Sequence, residues 1–250
     1  MYYNSLMQYG KFAILYDTLM GSVDYDAWAN YVSSFLRDGI VILECACGTG
    51  EISLRLSEKG FNVTATDISD DMLIVASEKQ RLAGLASSGL RFVKMDMRKL
   101  SFHKKADAVI SCCDGVNYLT SREDVKRFFT STYEVLKPGG LLLFDISSRY
   151  KLESVLGGNC FADNGKDIAY MWQNTYDTES KLISMELSFF TRRGDLYERF
   201  DETHIQRAHS MREIGSWLNE TGFEYEAFKC FTTESVGSTD ERIQFLARKK

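Results

Sequence analysis

The densest chemistry in this chain lies in Ile42-Leu-Glu-Cys-Ala-Cys-Gly-Thr-Gly50. An apolar run ends on an acid, Glu44, crosses the small residues Cys45, Ala46 and Cys47, and opens into a turn carrying Gly48 and Gly50. A glycine-rich crossing from strand to helix lets the backbone approach a ligand that side chains would block. By itself the stretch predicts a nucleotide-like ligand, with a nicotinamide dinucleotide and S-adenosylmethionine both open. Two residues weigh between them. A dinucleotide fingerprint wants a third glycine at position 53, where the chain has Ser53. Glu44 suits a cation better than a pyrophosphate, and S-adenosylmethionine carries an ammonium and a sulfonium. It is the expected cofactor.

Asp67 follows Gly48 by 19 positions, near the ~20 expected of an acid that grips ribose hydroxyls. A carboxylate accepts from both hydroxyls at once. An acid in that place can also cap the next helix, but Ser69 and Asp70 already supply that cap. Asp96 and Met97 close a later apolar run, where an acid can accept from an adenine amino group while the next backbone N–H donates to the ring. The alternative for Asp96 is a solvated loop acid. Cys112-Cys113-Asp114-Gly115 ends a further run, setting small residues and then an acid beside the ligand. Asp114 is a candidate to hold the cofactor, to orient a substrate amine, or simply to turn the chain. Asn117 and Tyr118 just beyond are candidates to orient a substrate.

Positioning these residues takes a particular set of elements. Strand-like runs at 40–45, 62–67, 90–95, 106–112 and 140–146 alternate with helical patterns at 51–59, 70–83 and 122–136. The strands are continuous apolar runs, as when helices cover both faces of a sheet. Repeated βα units predict a parallel sheet with right-handed crossovers. Ligands on such sheets bind beyond the carboxyl ends of the strands, which points to Glu44–Gly50, Asp67, Asp96 and Cys112–Asp114. From about 168 to 207 the pattern becomes an antiparallel meander, with runs 168–176, 182–191 and 196–206 separated by hairpin signals. Helix 210–221 and strands 223–230 and 242–248 then resume the earlier style. Residues 150–207 therefore read as an insertion in a domain made of 1–149 and 208–250, with two aromatic-rich helices in 6–36.

The set Glu44–Gly50, Asp67, Asp96-Met97, Ala106–Ser111 and Leu136-Lys-Pro-Gly-Gly-Leu-Leu-Leu-Phe-Asp145 resembles a class I S-adenosylmethionine-dependent methyltransferase. The Lys-Pro-Gly-Gly turn, which uses the only proline of the chain, is typical of that family. The resemblance implies an α/β, Rossmann-like seven-stranded sheet whose last strand is antiparallel, flanked by helices and carrying a small inserted antiparallel sheet. Residues 9–20 and 24–28 resemble the lid helices of small-molecule members, the glycine/sarcosine and amino-sugar N-methylating types. By that resemblance Tyr9, Tyr16 and Trp28 close over the cofactor, their π faces near its cationic end. The alternative for such aromatics is ordinary core. Ala46, Cys47, Ile68, Met72, Cys112 and Cys113 complete the expected cofactor contacts. Methyl transfer asks mainly for alignment and exclusion of water, and for a general base only where the nucleophile arrives protonated. Of His103, His204 and His209, His204 is the candidate base, since Phe200, Glu202 and His204 alternate onto one strand face; a surface histidine is the alternative. The acceptor is expected to be a small molecule, an amine before a hydroxyl.

Whole-chain properties bound these readings. At 250 residues and net charge -5, the chain can bury a full core and lacks the basic excess of a nucleic-acid binder. No apolar run reaches the ~18 residues of a membrane span, and the first ten residues do not read as a signal peptide, so a cytoplasmic protein without membrane partners is expected. The six cysteines lack zinc-site spacing and are expected to be reduced packing residues, with no metal. A non-catalytic cofactor-binding module and a nicotinamide-dependent oxidoreductase are the rival functions. A homodimer through the inserted sheet is also open.

Overall fold

The structure is a computed structural model that describes residues 11–86 and 88–250. Two helices, α1 (Lys11–Leu19) and α2 (Tyr25–Ser34), precede β1 (Val41–Cys45), α3 (Glu51–Glu58), β2 (Asn62–Asp67), α4 (Asp70–Leu82), β3 (Arg91–Lys94), β4 (Ala106–Ser111), α5 (Arg122–Val135) and β5 (Leu136–Ser147). The insertion contributes β6 (Cys160–Asn164), β7 (Ile168–Asp177), β8 (Leu182–Arg193) and β9 (Leu196–Arg207). The chain then closes with α6 (Met211–Thr221), β10 (Phe223–Lys229) and β11 (Arg242–Lys249). The main sheet has seven strands in the order β10-β11-β5-β4-β1-β2-β3. Strand β11 is antiparallel to both of its neighbours, and the β1–β5 pairings are parallel.

Side-chain alternation along β1 decides what each residue meets. Leu43 and Cys45 enter the core under α5 and α6, with Phe128, Phe129 and Trp217. Ile42 enters the opposite core under α2 and α3, with Val32, Ile52 and Leu56. Glu44 shares the parity of Ile42, which places its carboxyl within reach of α3. Serine or aspartate N-caps start the helices where the sequence places them: Asp24, Ser69, Ser121 and Ser210, the last with a full capping box to Glu213.

Two expectations need correction. Strand β5 begins at Leu136, not at 140, because Leu136 already pairs with Ala106 before the register shifts and Gly139 turns at φ 74°. The Lys-Pro-Gly-Gly stretch is therefore a bulge inside the strand. The inserted sheet has four strands, not three. Strand β6 escaped notice because every one of its residues is exposed, so it has no alternation to read.

The inner face of the inserted sheet, Ile183, Met185, Leu187 and Phe189, buries against Leu15 of α1 and against Leu152 and Leu156. The other side of α1 is tied to the main domain by charge. Lys79 Nζ donates to Asp17 at 2.8 Å and to Thr49 at 3.3 Å, and also holds Glu51. The Thr49 hydroxyl donates to Asp17 as well. Helix α1 thus forms a wall between the inserted sheet and the β1–α3 turn.

At the head of α3, Gly50 has φ 78°, and an added Cβ would lie 2.7 Å from the Phe92 ring. Gly60 has φ 89° but open space around it. Gly50→Ala should cost about 2–4 kcal/mol, combining strain with overpacking, whereas Gly60→Ala should cost only about 1 kcal/mol. Denaturant unfolding of the two variants tests this, and equal losses would refute the steric role of Phe92.

Candidate functional site

Beyond the carboxyl ends of β1–β4 lies a cavity of about 480 Å³. Ala46 and Gly48 enter it from the β1 turn, Asp67 and Ile68 from the end of β2, and Met72 from the first turn of α4. Asp96 and Met97 follow β3, Cys113, Tyr118 and Leu119 follow β4, and Phe12, Tyr16 and His204 come from α1 and β9. A recess of about 40 Å³ adjoins it, lined by Glu44, Cys47, Thr49, Tyr25 and Cys112. Tyr16, Ala46, Gly48 and Cys113 line both spaces.

Asp67 accepts the Gly48 N–H on one oxygen and the Ser69 N–H on the other, both at 2.9 Å. Each oxygen keeps lone-pair capacity for a diol in the cavity. Asp96 accepts the Arg98 backbone N–H at 2.9 Å and grips its guanidinium at 2.7–3.0 Å. The Arg98 side-chain hydrogen bonds lower its pKa, so it stays ionised.

Glu44 is 2% exposed, and its carboxyl accepts from Ser53. The residue that broke the dinucleotide pattern therefore supports the acid of the recess. Burial pushes the Glu44 pKa up to about 7, against the Ser53 hydrogen bond. Glu44 has no ion-pair partner among the described residues. Burial also raises the Cys47 and Cys113 thiols and the Tyr16 and Tyr25 phenols, which leaves these walls neutral. A buried acid without an ion-pair partner is held towards its neutral form, and a cation beside it would favour the carboxylate. Asp67, Asp96, Met97 and Gly48 line the cavity, and Glu44 lines the recess that adjoins it.

At the far end His204 Nδ1 lies 3.2 Å from the Tyr118 hydroxyl. The ring centroid of Phe12 is 4.9 Å from that of His204, and His204 Nε2 is buried without a partner. Burial lowers the His204 pKa, keeping the imidazole neutral at physiological pH. Phe12 carried no signal in the sequence, because a phenylalanine on a short helix looks like core.

Other residues lie elsewhere. Trp28 is core: it is 4% exposed, lies edge-on to Phe231 at 4.9 Å and has the Arg242 guanidinium 5.5 Å from its ring centroid. Gly50 serves the packing against Phe92 and lines neither space. Asp114 turns away from the cavity, its carboxylate bonded by Arg242 at 3.0 Å and Gln206 at 2.8 Å. Those bonds tie it into the structure. Asn117 is fully buried and bonds backbone groups of Ser147 and Arg207, so it does not face a substrate. Tyr9 lies outside the described residues.

Comparison with known proteins adds to this geometry. Residues 42–140 match a family model described as "Methyltransferase domain". The chain is 40% identical over 245 residues to the Bacillus subtilis (strain 168) protein named "Putative methyltransferase YqeM", covering 97% of this chain and 98% of that one. A crystal structure of an S-adenosylmethionine-dependent methyltransferase from Clostridium acetobutylicum ATCC 824 superposes with a TM-score of 0.85 at 35% identity, covering 96% of this chain and 98% of that one. A glycine/sarcosine N-methyltransferase of Halorhodospira halochloris is 34% identical over 131 residues, 49% of this chain and 48% of its own. The choice left open at the glycine turn resolves to S-adenosylmethionine.

The cation-free recess makes cofactor affinity pH-dependent. Below about pH 7 the Glu44 carboxyl is protonated, and a cation gains its charge only by expelling that proton. S-Adenosylmethionine affinity should therefore rise with pH through that value, with up to one proton released per molecule bound at the acid end. Calorimetry in two buffers of different ionisation enthalpy measures that proton, and Glu44→Gln should abolish both effects. Release that persists in Glu44→Gln would assign it elsewhere.

Proposed function

Since the chain belongs to the class I S-adenosylmethionine-dependent methyltransferases, we propose that the nucleophile it methylates is the amine nitrogen of a small molecule, bound between His204 and the cofactor. The observation that carries this reading is the His204 imidazole, held by Tyr118 in the same cavity as Asp67 and Gly48. When bound, S-adenosylmethionine supplies a methyl group on a good leaving group for in-line displacement. Asp67 holds the ribose, Asp96 and Met97 the adenine, and Glu44 the cationic end.

An amine arrives largely as an ammonium and must lose a proton before its lone pair can attack. His204, with the Tyr118 hydroxyl at its Nδ1, is the group in this cavity able to take that proton. The walls at this end, Phe12, Tyr16, Tyr118 and Leu119, carry no positive charge. Aromatic faces favour a cation, by ~0.5–2 kcal/mol each. The half-length likeness to a glycine/sarcosine N-methyltransferase points the same way.

The inserted sheet serves as the acceptor's wall in this reading. Its inner face carries His204 and Phe200, while Glu186, Arg199, Asp201 and Thr203 make its outer face polar.

Incubation with S-adenosylmethionine and a panel of small amines, alcohols, phenols, thiols and carbon acids tests the proposal by release of S-adenosylhomocysteine. Amines should turn over, and turnover confined to another class would overturn the assignment. With an active amine, His204→Gln should lower kcat by about a hundredfold while leaving the Kd for S-adenosylmethionine within about twofold, because the cofactor contacts lie on other strands.

A further inference from the structure

The Tyr118–His204 contact depends on where the short helical turn Gly115–Tyr118 sits, and two fully buried polar side chains fix that turn from behind. Asn117 Nδ2 donates to the Ser147 carbonyl at 3.1 Å and to the Arg207 carbonyl at 2.9 Å, while its Oδ1 accepts the Ser147 N–H at 2.9 Å. One amide thus joins the ends of β5 and β9 to the residue before Tyr118. His209 is 0% exposed, and its Nε2–H donates to the carbonyl of Leu119, the residue after Tyr118, at 2.9 Å. The His209 ring stands edge-on to Trp217 at 5.8 Å and 84°, which fixes its plane.

His209 does nothing else that the structure shows. Its Nδ1 is buried with no partner, an arrangement that costs free energy. Burial, with Arg207 adding to it, pushes its pKa down to about 4, so the ring stays neutral and works as a fixed donor. It lies two residues past the end of the strand that bears His204. Asn117 before Tyr118 and His209 after it leave the turn little freedom to carry the phenol away.

We propose that His209, with Asn117, is a positioning residue: it clamps the turn that holds the Tyr118 hydroxyl on His204 and so keeps the proton-accepting imidazole in one orientation. This rests on the reading of His204 as the acceptor's base. The clamp acts through Tyr118, touches no substrate, and leaves cofactor binding to other residues.

A double-mutant cycle tests it on the full-length protein with an active amine acceptor. His209→Leu and Tyr118→Phe should each lower kcat by about tenfold, the loss expected of one well-placed hydrogen bond, with the Kd for S-adenosylmethionine within about twofold. The double variant should be no slower than either single one. Loss of the Tyr118 acceptor removes a hydrogen bond that favours the imidazolium, so the His204 inflection in kcat against pH should move down in both variants. His209→Gln, which keeps an amide donor, should recover most of the rate and the inflection. Independent losses that multiply in the double variant, or a wild-type pH profile in His209→Leu, would overturn the clamp. Should His209→Leu fail to bind the cofactor, His209→Asn, too short to reach the carbonyl, runs the same cycle and is judged by the same outcomes. Failure of the underlying reading looks different: His204→Gln would then leave kcat and its pH dependence unchanged, and neither Tyr118→Phe nor His209→Leu would lower kcat.

Discussion

The site depends on holding the backbone of residues 46–50 in a conformation it would not keep alone. Ala46, Gly48 and Gly50 have φ of 54°, 53° and 78°, and for Ala46 that strain costs about 1–3 kcal/mol. The neighbours over-determine the bend. Asp67 takes the Gly48 N–H, the Thr66 carbonyl takes the Cys47 N–H at 3.0 Å, and Thr49 is caught by Asp17 and Lys79. Those partners come from β2, α1 and α4, so the turn is right only when sheet, helix and lid are assembled together. Asp67 is both strut and candidate ligand group. Both of its oxygens already accept backbone N–H groups.

Charge is handled in opposite ways on the two sides of this turn. Glu44 is buried with a hydroxyl partner and no cation. Arg242 is given two carboxylates, Asp145 and Asp114, and a Trp28 face. Burial pushes Asp145 up to about 6 even with Arg242 against it, and buried ion pairs of this kind are weak evidence of stability. Their use here is connection: the cluster joins β11, β5 and the turn after β4, and Gln206 extends it to β9. A charge satisfied inside the fold has little left for a ligand. That is why Asp114, which follows β4 as an active-site acid would, is structural, whereas Glu44 has no cation among the described residues and burial raises its pKa.

Much of the cofactor side was legible in the sequence because its signals are local. A glycine turn after an apolar run, and acids at the ends of consecutive strands, need only the strand-end rule to be placed together. Misreadings arose where two physical causes give the same residue. Gly50 lies in a glycine-rich turn, yet its lack of a side chain serves the Phe92 ring. Trp28 and Tyr16 are both aromatics on the first two helices, and only the packing angle of each helix sends one to the core and the other to the cavity. Strand β6 has no buried face, so hydrophobic periodicity had nothing to report. Ser53 was read as an absent glycine, and its positive role needed the parity of β1 to bring Glu44 within its reach.

The acceptor side was obscure for a deeper reason. Its walls are α1 and β9, from opposite ends of the chain, meeting only because the inner face of the inserted sheet buries against Leu15. Nothing near Phe12 in sequence announces His204, and nothing near His204 announces Tyr118. The residues expected to meet the cofactor sit at and just beyond the ends of β1–β4, where the sheet fixes their order. The acceptor contacts sit on a helix and a strand that touch the sheet at few points, so their side chains can change while the cofactor groove stands. A fold built this way declares its methyl donor in short motifs and keeps its acceptor in tertiary contacts. Besides the β9 contacts to Asn117 and Asp114, α1 ties the two halves, since its Tyr16 lines both spaces and its Asp17 is bound at the glycine turn. One short helix therefore contacts the inserted sheet, the cavity and the glycine turn at once.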